Sequence, residues 1–156
     1  MSDELPAITH FVPHRGTMSL LDRLVAVDAD QVLAEVTVTP ASLFAQAPGV
    51  PAWVGIEYMA QAVAAWAGAR ARRAGGEPAV GFLLGTRRYA AHVPWFTPGQ
   101  TLRISARCEL IGDNGLGQFA CHIHDAGGAP LAEAMVSVFE PPTGSPPPAT
   151  PAKAST

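Results

Sequence analysis

The longest stretch dominated by apolar and small residues extends from Pro51 to Arg70. Within it Ile56, Met59, Ala60, Val63 and Ala67 recur at three- and four-residue spacing, which predicts one apolar helical stripe. Ala62, Ala64, Ala65 and Ala69 keep the rest of the surface small and uncharged, as suits a helix enclosed by a sheet. Pro51 fits the first helical position, where its missing N–H has no partner to lose. The pair Gly75-Gly76, following Arg70-Ala71-Arg72-Arg73, supplies the stop.

On either side of the helix the apolar period changes to two. Leu24 to Val27 reads as a first strand, and Val32 to Val38 as a second, with Val32, Ala34, Val36 and Val38 on one face. A loop holding Pro40, Pro48 and Gly49 then leads to the helix. Beyond it, Val80 to Leu84 is apolar, and Gly85-Thr86-Arg87-Arg88-Tyr89 continues it as an edge or bulged strand. Leu102, Ile104, Ala106, Cys108 and Leu110 alternate with Arg103, Ser105, Arg107 and Glu109, a half-buried pattern. Asn114-Gly115 marks a tight hairpin. With those two as the turn residues, Leu110 faces Phe119 and Cys108 faces Cys121. Gly127-Gly128 makes the next turn, and Ala132, Ala134, Val136 and Val138 belong to the last strand. Two strands, one long helix and an antiparallel meander define an α+β domain.

The boundaries follow from composition. Residues 1–22 form an irregular lead broken by Pro6 and Pro13. Residues 141–156 are Pro, Ala, Ser and Thr with one Gly and one Lys, a composition expected of a disordered tail after a domain spanning 1–140. A chain of 156 residues, 48% hydrophobic and 15% charged, suffices for one core. Its formal charge of -3 argues against general nucleic-acid binding. The apolar run is interrupted by Glu57 and Gln61, against a membrane span. Met1-Ser2-Asp3-Glu4 lacks the basic-then-apolar pattern of a signal peptide, so a cytoplasmic location is expected. In a reducing compartment Cys108 and Cys121 are expected as thiols, although facing strand positions would admit a disulfide.

Glu57 is the first candidate for chemistry. A carboxylate among apolar neighbours is costly to ionise unless paired, and Gln61 lies one turn further on the same face. The plainer reading is a buried carboxylate bonded to backbone. Of the histidines, His92 reads as a polar strand residue. His122 and His124 share a face with Gln118, a solvated face without a third metal ligand. No metal or cofactor is implied. Arg70, Arg72, Arg73, Arg87 and Arg88 are a basic group in an acidic protein. They would receive an acidic partner or, for those at the helix end, complement its dipole.

Three separated motifs resemble one family. Pro13-His14-Arg15 with Leu20-Leu21-Asp22-Arg23, Glu57-Tyr58-Met59-Ala60-Gln61, and Phe82-Leu83-Leu84-Gly85-Thr86-Arg87 are similar to hotdog-fold 3-hydroxyacyl-(acyl carrier protein) dehydratases. The likeness is greatest to the subgroup of aryl-polyene-type biosynthetic clusters. It implies a hotdog fold, a long central helix wrapped by a curved antiparallel sheet, with two subunits joined edge to edge as a homodimer or heterodimer. It implies a dehydratase forming trans-2-enoyl thioesters on an acyl carrier protein, through its 4'-phosphopantetheine-linked acyl chain. Glu57 matches the carboxylate that protonates the leaving hydroxyl, and Gln61 the glutamine beyond it. Ala52 and Trp53 match the carbonyl-binding helix start, with Gly85 as a further substrate-binding position. Arg70, Arg73, Arg87 and Arg88 are the candidates for docking the carrier.

One departure stands out. The family's Gly-His-Phe-Pro-Gly loop carries the base, and here the loop reads Ala45-Gln46-Ala47-Pro48-Gly49. His14 is the remaining candidate base in a shared motif, with a structural role as the alternative. Three functions therefore compete: a dehydratase, a non-catalytic hotdog subunit paired with an active dehydratase, and an acyl thioesterase, the last disfavoured by the first motif.

Overall fold

The computed structural model describes residues 20–42, 44–73, 82–112 and 114–139. His14, the Gly75-Gly76 stop and the segment 140–156 lie outside the described residues. Strands β1 (Arg23–Val27) and β2 (Gln31–Thr37) come first. The two-residue strand β3 (Val50–Pro51) and a 3-10 turn (Ala52–Val54) then lead into helix α1 (Gly55–Arg73). After the helix come β4 (Phe82–Ala91), the short β5 (Trp95–Phe96), β6 (Thr101–Ile111), β7 (Leu116–Asp125) and β8 (Pro130–Phe139). Six strands form one antiparallel sheet in the order β1-β2-β6-β7-β8-β4, and β3 pairs with β5 separately.

The sheet curves around α1. Val32, Ala34, Val36, Leu102, Ile104, Phe119, Cys121, Ile123 and Val136 point inward from the strands. Met59, Ala62, Val63, Trp66 and Ala69 meet them from the helix. The buried stripe is therefore displaced from the one the sequence predicts: Ile56, Ala60 and Ala67 are only half-buried. The aromatic bodies of Tyr58 and Trp66 account for the shift, since they carry the largest apolar area on the helix. Tyr58 lies against Phe96, and Trp66 meets Phe119 edge-on at 5.3 Å while its indole N–H donates to the Asp28 carbonyl. On the outward face Glu35 bridges three strands, pairing with Arg23 at 2.7 Å and Arg103 at 3.1 Å. No described helix is long and apolar enough to cross a membrane.

Two expectations need correction. Pro51 does not open the helix; its extended conformation pairs it with Trp95, and helical geometry begins one residue later. The β6–β7 register also differs from the two-residue turn. Gly115, at φ 91, donates to the Gly112 carbonyl, and the Gly112 N–H donates to the Leu116 carbonyl. That wider turn, with a bulge between Cys108 and Leu110, places Cys108 opposite Phe119 and Ala106 opposite Cys121. From Leu102 to Cys108 a two-residue displacement keeps the side chains on their expected faces, but past the bulge Leu110 lies opposite Gln118 instead of Phe119 and is turned outward, 55% exposed. Both cysteines are free thiols, and burial pushes that of Cys121 up to about 12.

The loop before the helix is held by a glycine that tolerates no side chain. Gly49 has φ 142, and a Cβ there would lie 2.3 Å from the Phe96 carbonyl oxygen. Gly49→Ala is accordingly expected to destabilise the fold by about 1–3 kcal/mol. In a thermal melt this appears as a drop of roughly 3–10 °C; an unchanged melting temperature would show that the loop relaxes freely.

Candidate functional site

The site is assembled where three backbone segments converge on the start of α1. Gln46 and Gly49 exchange backbone hydrogen bonds of 2.8 and 2.9 Å, so Ala47-Pro48 is a tight reversal that delivers the chain into β3. The β3–β5 pairing then seats the helix start, and the Ala52 N–H donates to the Pro94 carbonyl at 3.0 Å. The Ala52 carbonyl receives the Gly55 N–H and the hydroxyl of Tyr89. With Ala52's N–H occupied, the Trp53 N–H is next in line at a helix end, where no preceding turn supplies acceptors.

Glu57 stands in the first turn, half-buried beside half-buried Ile56 and Ala60. It is less enclosed than the sequence pattern predicts, because the sheet closes over the Met59–Trp66 side of the helix. Among the described residues nothing ion-pairs with its carboxylate. Gln61, one turn on, is 1% exposed. Its Oε1 accepts the Leu20 N–H at 2.8 Å, tying the helix to the segment that leads into β1. Adjacent Tyr58 points into the core, its hydroxyl pushed up to about 12 by burial and, next, by the charge of Asp22. At the outer rim Trp53, 58% exposed, forms a tilted pair with Phe44 at 5.2 Å.

Residues 6–147 match the ApeP-like family, described as ApeP dehydratase. The chain belongs to that family. Its fold is the hotdog fold, as the resemblance implied. Among solved structures it is similar to the dehydratase heterocomplex ApeI:P from Xenorhabdus doucetiae, with a TM-score of 0.82 and 29% identity. That alignment covers 90% of this chain and 94% of the other. Two further likenesses concern the fold alone. Cj0977, a sigma28-regulated virulence protein of Campylobacter jejuni, gives a TM-score of 0.62 at 14% identity, covering 85% of this chain and 87% of that one. A hypothetical thioesterase with coenzyme A from Streptococcus pneumoniae gives 0.61 at 12% identity, covering 76% and 84%. Comparison with curated proteins returned no match.

Within this family framework, the remaining candidates separate. Gly85 is an exposed residue of edge strand β4, and an added Cβ would meet nothing within 4 Å, so close approach is not what makes it glycine. The arginines divide into two pairs. Arg70 lies over Trp66, 5.4 Å from the ring centre, and Arg73 ends α1. Arg87 and Arg88 are exposed on β4 beside Tyr89, which touches the helix start. At about 1.5 Å per residue, roughly 22 Å of helix separates Gly55 from Arg70. His92 is exposed, and His122 and His124 stack on the outward face at 6.0 Å. No cluster of three metal-ligating side chains occurs among the described residues.

The sequence pattern passed over Tyr89 and Gly55. Gly55 at the head of a helix was the available signal, because a glycine there marks either flexibility or a close neighbour. The neighbour is the Tyr89 hydroxyl.

Proposed function

We propose that this chain is a dehydratase subunit acting on 3-hydroxyacyl thioesters carried by an acyl carrier protein, and that it works with a second hotdog subunit. The observation that carries the reading is the placement of Glu57 in the first turn of α1, one turn beyond the Trp53 N–H. Donation from that N–H to the thioester carbonyl stabilises the negative charge that builds on oxygen as the α-proton leaves. The base takes the α-proton, the C2=C3 bond forms, the C3–O bond breaks, and Glu57 protonates the departing oxygen to release water. Trp53 thus takes the carbonyl-binding role, since the Ala52 N–H is already bonded to Pro94.

The base belongs to the partner in this reading. The loop facing the helix carries Gln46, and an amide does not accept a proton at working pH. The ApeI:P complex, itself a dehydratase made of two different chains, supports the two-subunit arrangement. The edge strand β4, ten residues long and flanked on one side only, is the surface along which a second sheet would pair. Arg87 and Arg88 on that strand lie near the helix start, where a pantetheine arm would have to arrive. Arg70 and Arg73 belong to the far end. His14 remains the base in a variant of this reading in which the chain acts alone.

A second reading, a non-catalytic subunit that completes an active partner, rests on the same Gln46. A hotdog thioesterase is the third. Intact-mass measurement on a carrier protein loaded with a 3-hydroxyacyl chain separates reaction classes. The proposal expects loss of one water with the acyl chain still attached. Release of the free acid instead would overturn it in favour of thioester hydrolysis.

A further inference from the structure

The peptide group joining Ala52 to Trp53 is held more firmly than a helix start requires. Its carbonyl oxygen accepts the Tyr89 hydroxyl at 2.5 Å, and the preceding peptide donates its N–H to Pro94. Reaching that carbonyl takes a distortion of β4. Arg87 pairs with Met135 and Ala90 with Glu133, so Arg88 and Tyr89 together oppose the single residue Ala134. Arg88 adopts φ 57, a left-handed conformation that a non-glycine residue holds only when the surrounding structure imposes it. Without the extra residue, strict alternation would turn position 89 outward with Glu133. The bulge re-aims Tyr89 toward the helix start. The helix accommodates it in turn: a Cβ on Gly55 would lie 2.2 Å from the Tyr89 hydroxyl oxygen and 3.1 Å from Ile123 Cδ1.

We propose that Tyr89 is a positioning residue of the thioester-binding turn. Its hydroxyl fixes the plane of the Ala52–Trp53 peptide and, by bonding that peptide's carbonyl, makes the Trp53 N–H a stronger donor to the substrate carbonyl. The inference rests on the dehydratase reading above and deepens it. The physical link is amide resonance: a hydrogen bond to the oxygen draws electron density from the nitrogen, so the N–H becomes more acidic, a strengthening of about 10–30% per bond in a chain of hydrogen bonds. An oxyanion donor also loses effect if it must be reoriented during reaction, and a fixed peptide plane removes that reorganisation. Burial pushes the Tyr89 hydroxyl up to about 12, so it stays protonated and able to donate throughout the working pH range. Gly55 is glycine because the hydroxyl occupies the space of its side chain.

The test uses Tyr89→Phe in the two-subunit assembly, with an acyl thioester that lacks the 3-hydroxyl and carries 13C at the carbonyl. The bound carbonyl stretch is expected to move toward its free-solution frequency. With a reactive substrate kcat should fall about tenfold while KM changes little, as for loss of one hydrogen bond acting mainly in the transition state. Gly55→Ala should reproduce the loss by displacing the hydroxyl, and added to Tyr89→Phe it should cause less further loss than it does alone. A purely structural Tyr89 would lower the melting temperature and leave the carbonyl stretch and kcat in place; that result overturns the proposal. If the wild-type assembly does not dehydrate at all, the functional reading fails separately. The Trp53 amide proton of the 15N-labelled chain then decides: an upfield move in Tyr89→Phe supports the polarising bond, and an unmoved resonance removes it.

Discussion

Glu57→Gln in the two-subunit assembly is expected to lower dehydration by roughly 10²–10⁴-fold, the usual contribution of a positioned general acid. Glutamine keeps the size and the hydrogen-bonding reach of the side chain but has no proton to deliver to the departing hydroxyl. The melting temperature should stay within about 2 °C, because Glu57 is half-buried and makes none of the ion pairs that hold the described fold together. His14→Ala divides the two sources of a base. With the base on the partner, the assembly survives loss of His14 and not of Glu57. With His14 as base, the isolated chain is active and this substitution abolishes that activity. Full activity of both variants would remove the catalytic assignment.

Phe119→Ala should produce the largest change in stability. Phe119 is 2% exposed on β7 and meets Trp66 of α1 edge-on, so it links the middle of the sheet to the helix it encloses. Truncation removes its transfer free energy and leaves a cavity against an indole that is pinned by its own hydrogen bond to Asp28. The expected cost is about 3–5 kcal/mol, read in a thermal melt as a fall of roughly 6–20 °C. A fall of only a degree or two would mean that the Trp66 side of the core collapses into the space.

The elements most legible in the sequence are those with a strong period. The helix and the strand alternation from Leu102 to Cys108 follow from side-chain spacing alone, and the order of elements then admits few folds. Positions governed by contacts distant in sequence were less legible. Pro51 reads as a helix start until Trp95 offers it a strand partner. The buried face of α1 is set by Tyr58 and Trp66 rather than by the aliphatic stripe, because the sheet closes over the larger side chains. Gly112-Asp113-Asn114-Gly115 is compatible with more than one turn, and the bulge beyond Cys108 has no local signature. The same distinction divides the site. Glu57 and Gln61 stand out through their motif, whereas Tyr89 reaches Ala52 across 37 positions and only through a bulge. Gln61, which the motif places one turn beyond Glu57, also accepts the Leu20 N–H, a contact 41 positions away that makes it an anchor for the leading segment.

In the proposed assembly this chain contributes the acid and another hotdog chain the base. The most direct measurement is the rate of enoyl-thioester formation from a carrier-bound 3-hydroxyacyl chain as this protein is titrated into a candidate partner whose own helix carboxylate has been replaced. The expected result is no product from either protein alone, a rate that rises to a plateau at equimolar mixing, and no rise when the titrated chain carries Glu57→Gln. A plateau equally high with Glu57→Gln would contradict it.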